Sequence, residues 1–207
     1  MCSKEITSEA IGRPLFEEPS SACERPDEWS YPKGFIFGGM GLPTRPYQDT
    51  AQQYFDAANL LISEIESNRF EDYRLANPIM YLYRHWLELM VKEIVGPVRE
   101  HNLARLADKL DSFLRAREVA LPDWVITRFK EIAAIDPDST VFRYAEKCIP
   151  GEIYVNLPHL KRAMAVLNVM LLSLAESGEL PHRSLSLLLL ERGYELETDR
   201  DSGLSVR

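Results

Sequence analysis

The residues with the clearest chemical potential are three charges at intervals of four, Arg84, Glu88 and Lys92, with His85 and Glu93 beside them. On a helix this spacing puts the three charges on one face. The surrounding positions are apolar, and an unpaired buried charge is too costly to keep, so these side chains must find partners or face water or a cleft. The stripe is therefore a candidate binding site. The alternative is a ladder of intrahelical ion pairs on an exposed strip.

A second group of candidates comes later in the chain. Residues 137–156 are rich in turn formers and contain Arg143 beside Tyr144, which could grip a phosphate or stack on a base. The alternative is a structural tyrosine packed against an arginine in a salt bridge. Lys161 and Arg162 fall in the first turn of a predicted helix, where positive charge is unfavourable, so we expect a Glu or a bound anion as partner. His101 precedes another helix and is expected to form structural hydrogen bonds.

Composition limits the function classes. The net charge is −8 and the pI is about 5.1, which weighs against non-specific coating of nucleic acid. Three distant cysteines without a CxxC pair indicate neither a disulfide framework nor a zinc site, and no motif predicts a cofactor or metal. The glycines at 34–41 lack the ending of a P-loop and predict a plain turn. With no signal peptide or membrane span in the sequence, we expect a cytoplasmic protein.

The charged stripe lies on a segment, residues 77–96, that is apolar on most sides. Asn77 and Pro78 are typical of a helix start, and Gly96 followed by Pro97 is typical of a stop. Apolar or aromatic side chains occupy too many positions for a helix with one buried face. We therefore expect this helix to be central, wrapped by the others.

Amphipathic patterns predict further helices around it: from Tyr47 to about Ser67, after His101-Asn102, from about Pro122 to just before Asp136-Pro137, and from Asn156 to about Glu176. The chain is thus predicted to be all-α, a bundle of about five to six helices at residues 47–178. Residues 1–46 are predicted to form an extended Pro/Gly-rich arm. Residues 179–207 are predicted to form a Leu-rich helix, which docks on the body or on a second subunit, and a polar tail.

Three phrases carry a family resemblance: MYLYRHWLELMVKEI, then HNLARLADKL on the next helix, then DPDSTVFRYAEK before the last long helix. Over roughly residues 47–176 the chain resembles the HEPN domain superfamily. The resemblance implies a helical bundle and frequent dimerisation. Many members cleave RNA without a metal or bind RNA, often in toxin–antitoxin, CRISPR-associated or anti-phage systems. The resemblance therefore also implies one of these activities.

The chain departs from the cleaving members, which carry an Arg four to six residues before a His. Here Arg84 adjoins His85 and Arg99 stands two residues before His101. Three hypotheses follow. The first is a non-catalytic interaction module, a homodimer or a subunit of a defence or toxin–antitoxin assembly. The second is an RNA-cleaving effector with a rearranged site of Arg84, His85 and Arg143. The third is a sensor that binds a nucleotide or other anion through the stripe and the Arg143 loop.

Overall fold

Six helices make up the part of the chain that the computed structural model describes, residues 46–144 and 151–181, and no strand occurs there. The helices are α1 (Pro46–Glu66), α2 (Asp72–Val95), α3 (Leu103–Arg115), α4 (Asp123–Ile135), α5 (Val141–Tyr144) and α6 (Leu157–Ser177). The predicted all-α bundle is confirmed. The glycine turn predicted at 34–41 lies outside the described residues. So do the predicted arm, except Pro46, and the Leu-rich segment, except residues 179–181.

Helix α2 is the centre of the bundle, as its apolar composition predicts. It packs against α1, α3, α5 and α6. Its large side chains Tyr83 and Trp86 are fully buried and meet Phe55 of α1, with ring centres 5.8 and 4.9 Å away. Aromatic side chains of this size bury a large apolar area, so the α1–α2 pair supplies much of the core.

The predicted start of α2 is wrong. The helix begins at Asp72, and Pro78 lies inside it instead of at the first helical position. The carboxylate of Asp72 accepts the backbone N–H of Tyr73 at 2.7 Å, which satisfies one free donor of the first turn. Pro78 removes a single backbone hydrogen bond on an exposed face, and the packing of the following residues outweighs that loss. The stop at Gly96 is as predicted, with a positive φ of 94°.

The other long helices have the predicted ends. Asn102 caps α3 by accepting the N–H of Arg105 at 3.1 Å, and Asn156 caps α6 by accepting the N–H of His159 at 2.9 Å. Helix α4 ends directly before Asp136-Pro137, and α6 ends at Gly178, which has a left-handed φ of 73°. Local cap and stop signals thus set these boundaries.

Between α4 and α6 the described residues, 136–144 and 151–156, are irregular apart from the single turn of α5. Residues 153–155 have β-branched and aromatic side chains, but they form no strand, and no strand occurs elsewhere in the described residues. Ile153 and Tyr154 are exposed.

We predict that Asn156→Ala lowers the free energy of unfolding by about 1 kcal/mol, because the first turn of α6 loses a hydrogen-bond acceptor. Urea denaturation measures this change. Asn156→Asp is the matched control, because it keeps the acceptor and adds a negative charge at a helix start, so its stability should equal or exceed that of the wild type. Equal loss in both variants would contradict the capping role.

Candidate functional site

The side chain of Arg84 is fully buried at the centre of the molecule. Its Nε donates to the carbonyl oxygen of Asp136 at 2.9 Å, and Nη2 donates to the carbonyl oxygens of His101 at 2.6 Å and Pro137 at 2.8 Å. Nη1 donates to Oε2 of Glu88 at 3.1 Å. Three backbone carbonyls and a carboxylate therefore accept hydrogen bonds from all three nitrogens of the guanidinium. In this conformation it has no access to a phosphate.

Glu88 joins the rest of the charged stripe to Arg84. Its Oε1 accepts a hydrogen bond from Nζ of Lys92 at 2.8 Å and lies 2.8 Å from Nδ1 of His101. Burial by itself would raise the pKa of Glu88, but hydrogen bonds from Lys92, His101 and Arg84 outweigh burial and lower the pKa below its ordinary value. The carboxylate therefore stays charged. The predicted ladder exists, but the expectation that it lies on an exposed strip is wrong.

Asp136 completes this arrangement from the loop after α4. Its Oδ1 accepts the backbone N–H groups of Thr140 at 2.8 Å and Val141 at 3.1 Å, at the start of α5. Its Oδ2 lies 3.6 Å from Nε of Arg84. The Arg84 network, which we define as Arg84, Glu88, Lys92, His101 and Asp136, thus fixes the loop before α3 and the start of α5 to α2.

His85 does not belong to this network, although it is adjacent to Arg84 in sequence. One residue corresponds to about 100° around the helix axis, so His85 lies on the next face of α2. There its ring stacks on Tyr81, with centres 5.8 Å apart, and meets the edge of Tyr54 at 4.6 Å. Burial lowers its pKa, and Arg84, Lys92 and Arg143 lower it further against the opposite effect of Glu88. The imidazole is therefore neutral at pH 7.

Arg143 lies on α5 and is exposed. Its guanidinium stacks over the ring of Tyr144 at 4.7 Å, donates to the hydroxyl of that tyrosine, and lies 5.8 Å from the ring centre of Tyr81. We call Tyr81, His85, Arg143 and Tyr144 the α5 surface. Of the two predicted alternatives, the packing of Arg143 against Tyr144 is present, but no salt bridge among the described residues includes Arg143. The exposed guanidinium and the 57% exposed Tyr144 also remain available to a ligand.

Lys161 and Arg162 lie in a third place, in the second turn of α6, so the prediction that they fall in its first turn is wrong, because the helix begins at Leu157. Nζ of Lys161 is 2.9 Å from Oε2 of Glu66 at the end of α1. Lys161 therefore has an acidic partner, as predicted. Of the nine residues predicted to bind, four meet in the Arg84 network, three lie on the α5 surface, and these two lie in the second turn of α6.

Sequence reasoning missed Asp136, Tyr81 and Tyr54. Asp136 was interpreted only as the residue before a proline, and its carboxylate accepts N–H groups four and five residues later, beyond the usual cap spacing. Tyr81 precedes His85 by four residues on α2, so the i,i+4 spacing of a helix could have indicated this contact. Tyr54 reaches His85 only through the packing of α1 against α2.

Comparison of the chain with models of protein families, with curated proteins and with solved structures produced no match in any of the three. None of the helices among the described residues is long and apolar enough to cross a bilayer.

We predict that Arg84→Met lowers the free energy of unfolding by about 3–5 kcal/mol, because it leaves buried carbonyls and the Glu88 carboxylate without their donor. Arg84→Lys should recover little, since one ammonium cannot replace a planar fork with several donors. Chemical denaturation measures both variants. The matched control Arg143→Met, at an exposed position, should change stability by less than about 0.5 kcal/mol. A similar effect at both arginines would contradict the structural role of Arg84.

We predict a pH-dependent stability from Glu88. Because folding lowers the pKa of Glu88, the stability that it contributes is fully present above the ordinary carboxyl pKa of 4.5 and is lost as the pH falls through the folded value. Urea unfolding at several pH values should show a shallower acid slope for Glu88→Gln than for the wild type. The exposed control Glu152→Gln should keep the wild-type slope.

Proposed function

We propose that this chain is a non-catalytic HEPN-like interaction module that acts as a dimer or as a subunit of a defence or toxin–antitoxin type assembly. The observation that carries the proposal is the complete burial of Arg84. A cation that stabilises a phosphate during cleavage must contact it, and the hydrogen bonds of Arg84 go to the protein itself. Arg84, which is adjacent to the candidate catalytic residue His85, thus has a structural role.

Exposed aromatic and basic groups support the interaction role. Tyr144 and Arg143 are exposed on α5, and Tyr73 and Tyr154 are exposed elsewhere on the bundle. Tyrosine and arginine are enriched at protein–protein interfaces, because they combine large contact areas with hydrogen-bonding groups. A helical body that displays such side chains suits a protein whose task is to bind another.

The main test combines partner capture with an RNA assay. We expect the tagged full-length chain to copurify from its native host with a protein partner in fixed stoichiometry, and the purified chain to leave RNA intact. His85→Ala and Arg143→Ala should not change the RNA result, since neither residue has a catalytic role in this proposal. Cleavage by the wild type that disappears in His85→Ala would overturn it and support the rearranged nuclease, with His85 and Arg143 as the remaining pair.

The nucleotide or anion sensor is the second candidate, because the α5 surface combines aromatic rings with a guanidinium. A base can stack on a tyrosine ring while the guanidinium binds a phosphate. Each ring of this surface is supported from within the fold: Tyr81 stacks on His85, and the α5 turn is fixed by Asp136.

For this candidate we predict that a nucleotide such as AMP raises the melting temperature, since a ligand that binds only the folded state stabilises it by about 2.7 kcal/mol at one hundred times Kd. Arg143→Ala and Tyr144→Ala should each abolish the shift. Inorganic phosphate separates the two contributions: a shift with phosphate that equals the shift with AMP indicates an anion site without base stacking. No shift with either ligand would reject the sensor.

A further inference from the structure

Two segments that are distant in sequence meet at one end of the bundle. Lys161 at the start of α6 pairs with Glu66 at the end of α1 at 2.9 Å, while Gln48 at the start of α1 approaches Glu176 near the end of α6 at 3.4 Å. The two helices are therefore antiparallel. The turn that follows α1 and the residues that precede α6 consequently lie at the same end.

That end exposes apolar side chains from both segments. Phe70 is 49% exposed and Tyr73 is 73% exposed in and after the α1–α2 turn, and Tyr154 is 87% exposed before α6. Ile153 and Val155 are also exposed. We call these five residues the end surface. Large apolar side chains clustered in water are typical of an interaction site.

The surface beside these residues contains a cleft that a side chain of a partner can enter. An open cleft of about 580 Å³ follows the α1–α2 turn and is lined by Ile65 and residues 68–74. The hydroxyl of Tyr73 at this cleft donates to Oε2 of Glu71 at 2.7 Å, which favours one orientation of the ring. A contact side chain that is already ordered loses less entropy on binding. The end surface therefore offers both an exposed ring, Tyr154, and a concave region.

The charges that border the end surface are of both signs. Arg69, Arg74 and Lys161 stand near Glu66, Glu71 and Asp72, whereas the whole chain has a net charge of −8. Two copies of an acidic chain repel each other in general, but a border with both signs lets the acids of one copy face the bases of the other. This pattern favours a second copy of the chain over a strongly basic or acidic partner.

The available area is also appropriate for a dimer. With aromatic side chains burying about 150–250 Å² each, the three exposed rings offer roughly 400 Å² at their observed exposure. Ile153, Val155 and the charged border add to this area. A stable interface needs about 800 Å² from each partner, and a two-fold contact uses the same surface on both.

We infer that the end surface is a homodimer interface in which Tyr154 of each copy enters the cleft beside Tyr73 of the other. The inference rests on the proposed interaction function and names its surface and its partner. The two-fold arrangement satisfies both copies at once, because ring and cleft occur on the same surface. It also closes the assembly at two subunits.

The test is the mass of the full-length chain in solution, measured by light scattering and by sedimentation over a range of micromolar concentrations. The wild type should be a concentration-dependent dimer. Tyr73→Ser combined with Tyr154→Ser should raise the dissociation constant at least tenfold, since truncating central aromatic residues of an interface has effects of this size or more. Circular dichroism and the melting temperature confirm that the variant is folded.

Leu60→Ser is the matched control. Leu60 is 61% exposed on α1 and lies opposite the buried Ala58 and Ile62. Its loss should leave the dimer unchanged. Arg74→Glu provides an independent variant, because the reversed charge should weaken the dimer at low salt, with partial recovery at high salt.

A monomeric wild type, or a double variant that dimerises like the wild type, would overturn the inference. The proposed function fails separately, through RNA cleavage or through the absence of any stoichiometric protein partner, including a second copy. A monomer that captures a different protein through the end surface would reject the dimer while leaving the interaction module in place.

Discussion

The burial of the Arg84 guanidinium is the constraint on which this fold depends. A guanidinium at the centre of a helical bundle is tolerated only when nearly every donor has an acceptor. Here the acceptors are the Glu88 carboxylate, one turn along α2, and the carbonyls of His101, Asp136 and Pro137 from two loops. Two loops that would otherwise be free to move must therefore direct their carbonyls inward. Helices α3 and α5 take their positions from that requirement.

The same constraint gives two neighbouring faces of α2 different surroundings. One face carries Arg84, Glu88 and Lys92, and their charges are used within the molecule. The next face carries Tyr81 and His85, whose rings support the exposed α5 surface. Asp136 connects the two, because one oxygen caps α5 while the other lies against Arg84. The Arg84 network thus holds the turn that displays Arg143 and Tyr144.

The end surface follows from a different relation, the antiparallel pairing of α1 and α6. Their ends are joined by Gln48–Glu176 and by Lys161–Glu66. Because of this pairing, the α1–α2 turn and the segment before α6 share one end although they are about eighty residues apart in sequence. Lys161 thus contributes to a contact between two helices that lie far apart in the sequence.

The sequence by itself determined the fold class, the central place of α2 and most helix ends, because periodicity, Asn caps and Gly or Pro stops are local signals. It did not determine where α2 begins, since tertiary packing offsets the hydrogen bond that Pro78 removes. It also brought Arg84 and His85 together as neighbours, yet the helix turns about 100° per residue and gives them different surroundings. Loops far away in the sequence determined whether the charged stripe faces water, a ligand or the protein itself. Only the tertiary structure placed three carbonyls and Asp136 around Arg84, and that placement decided its role.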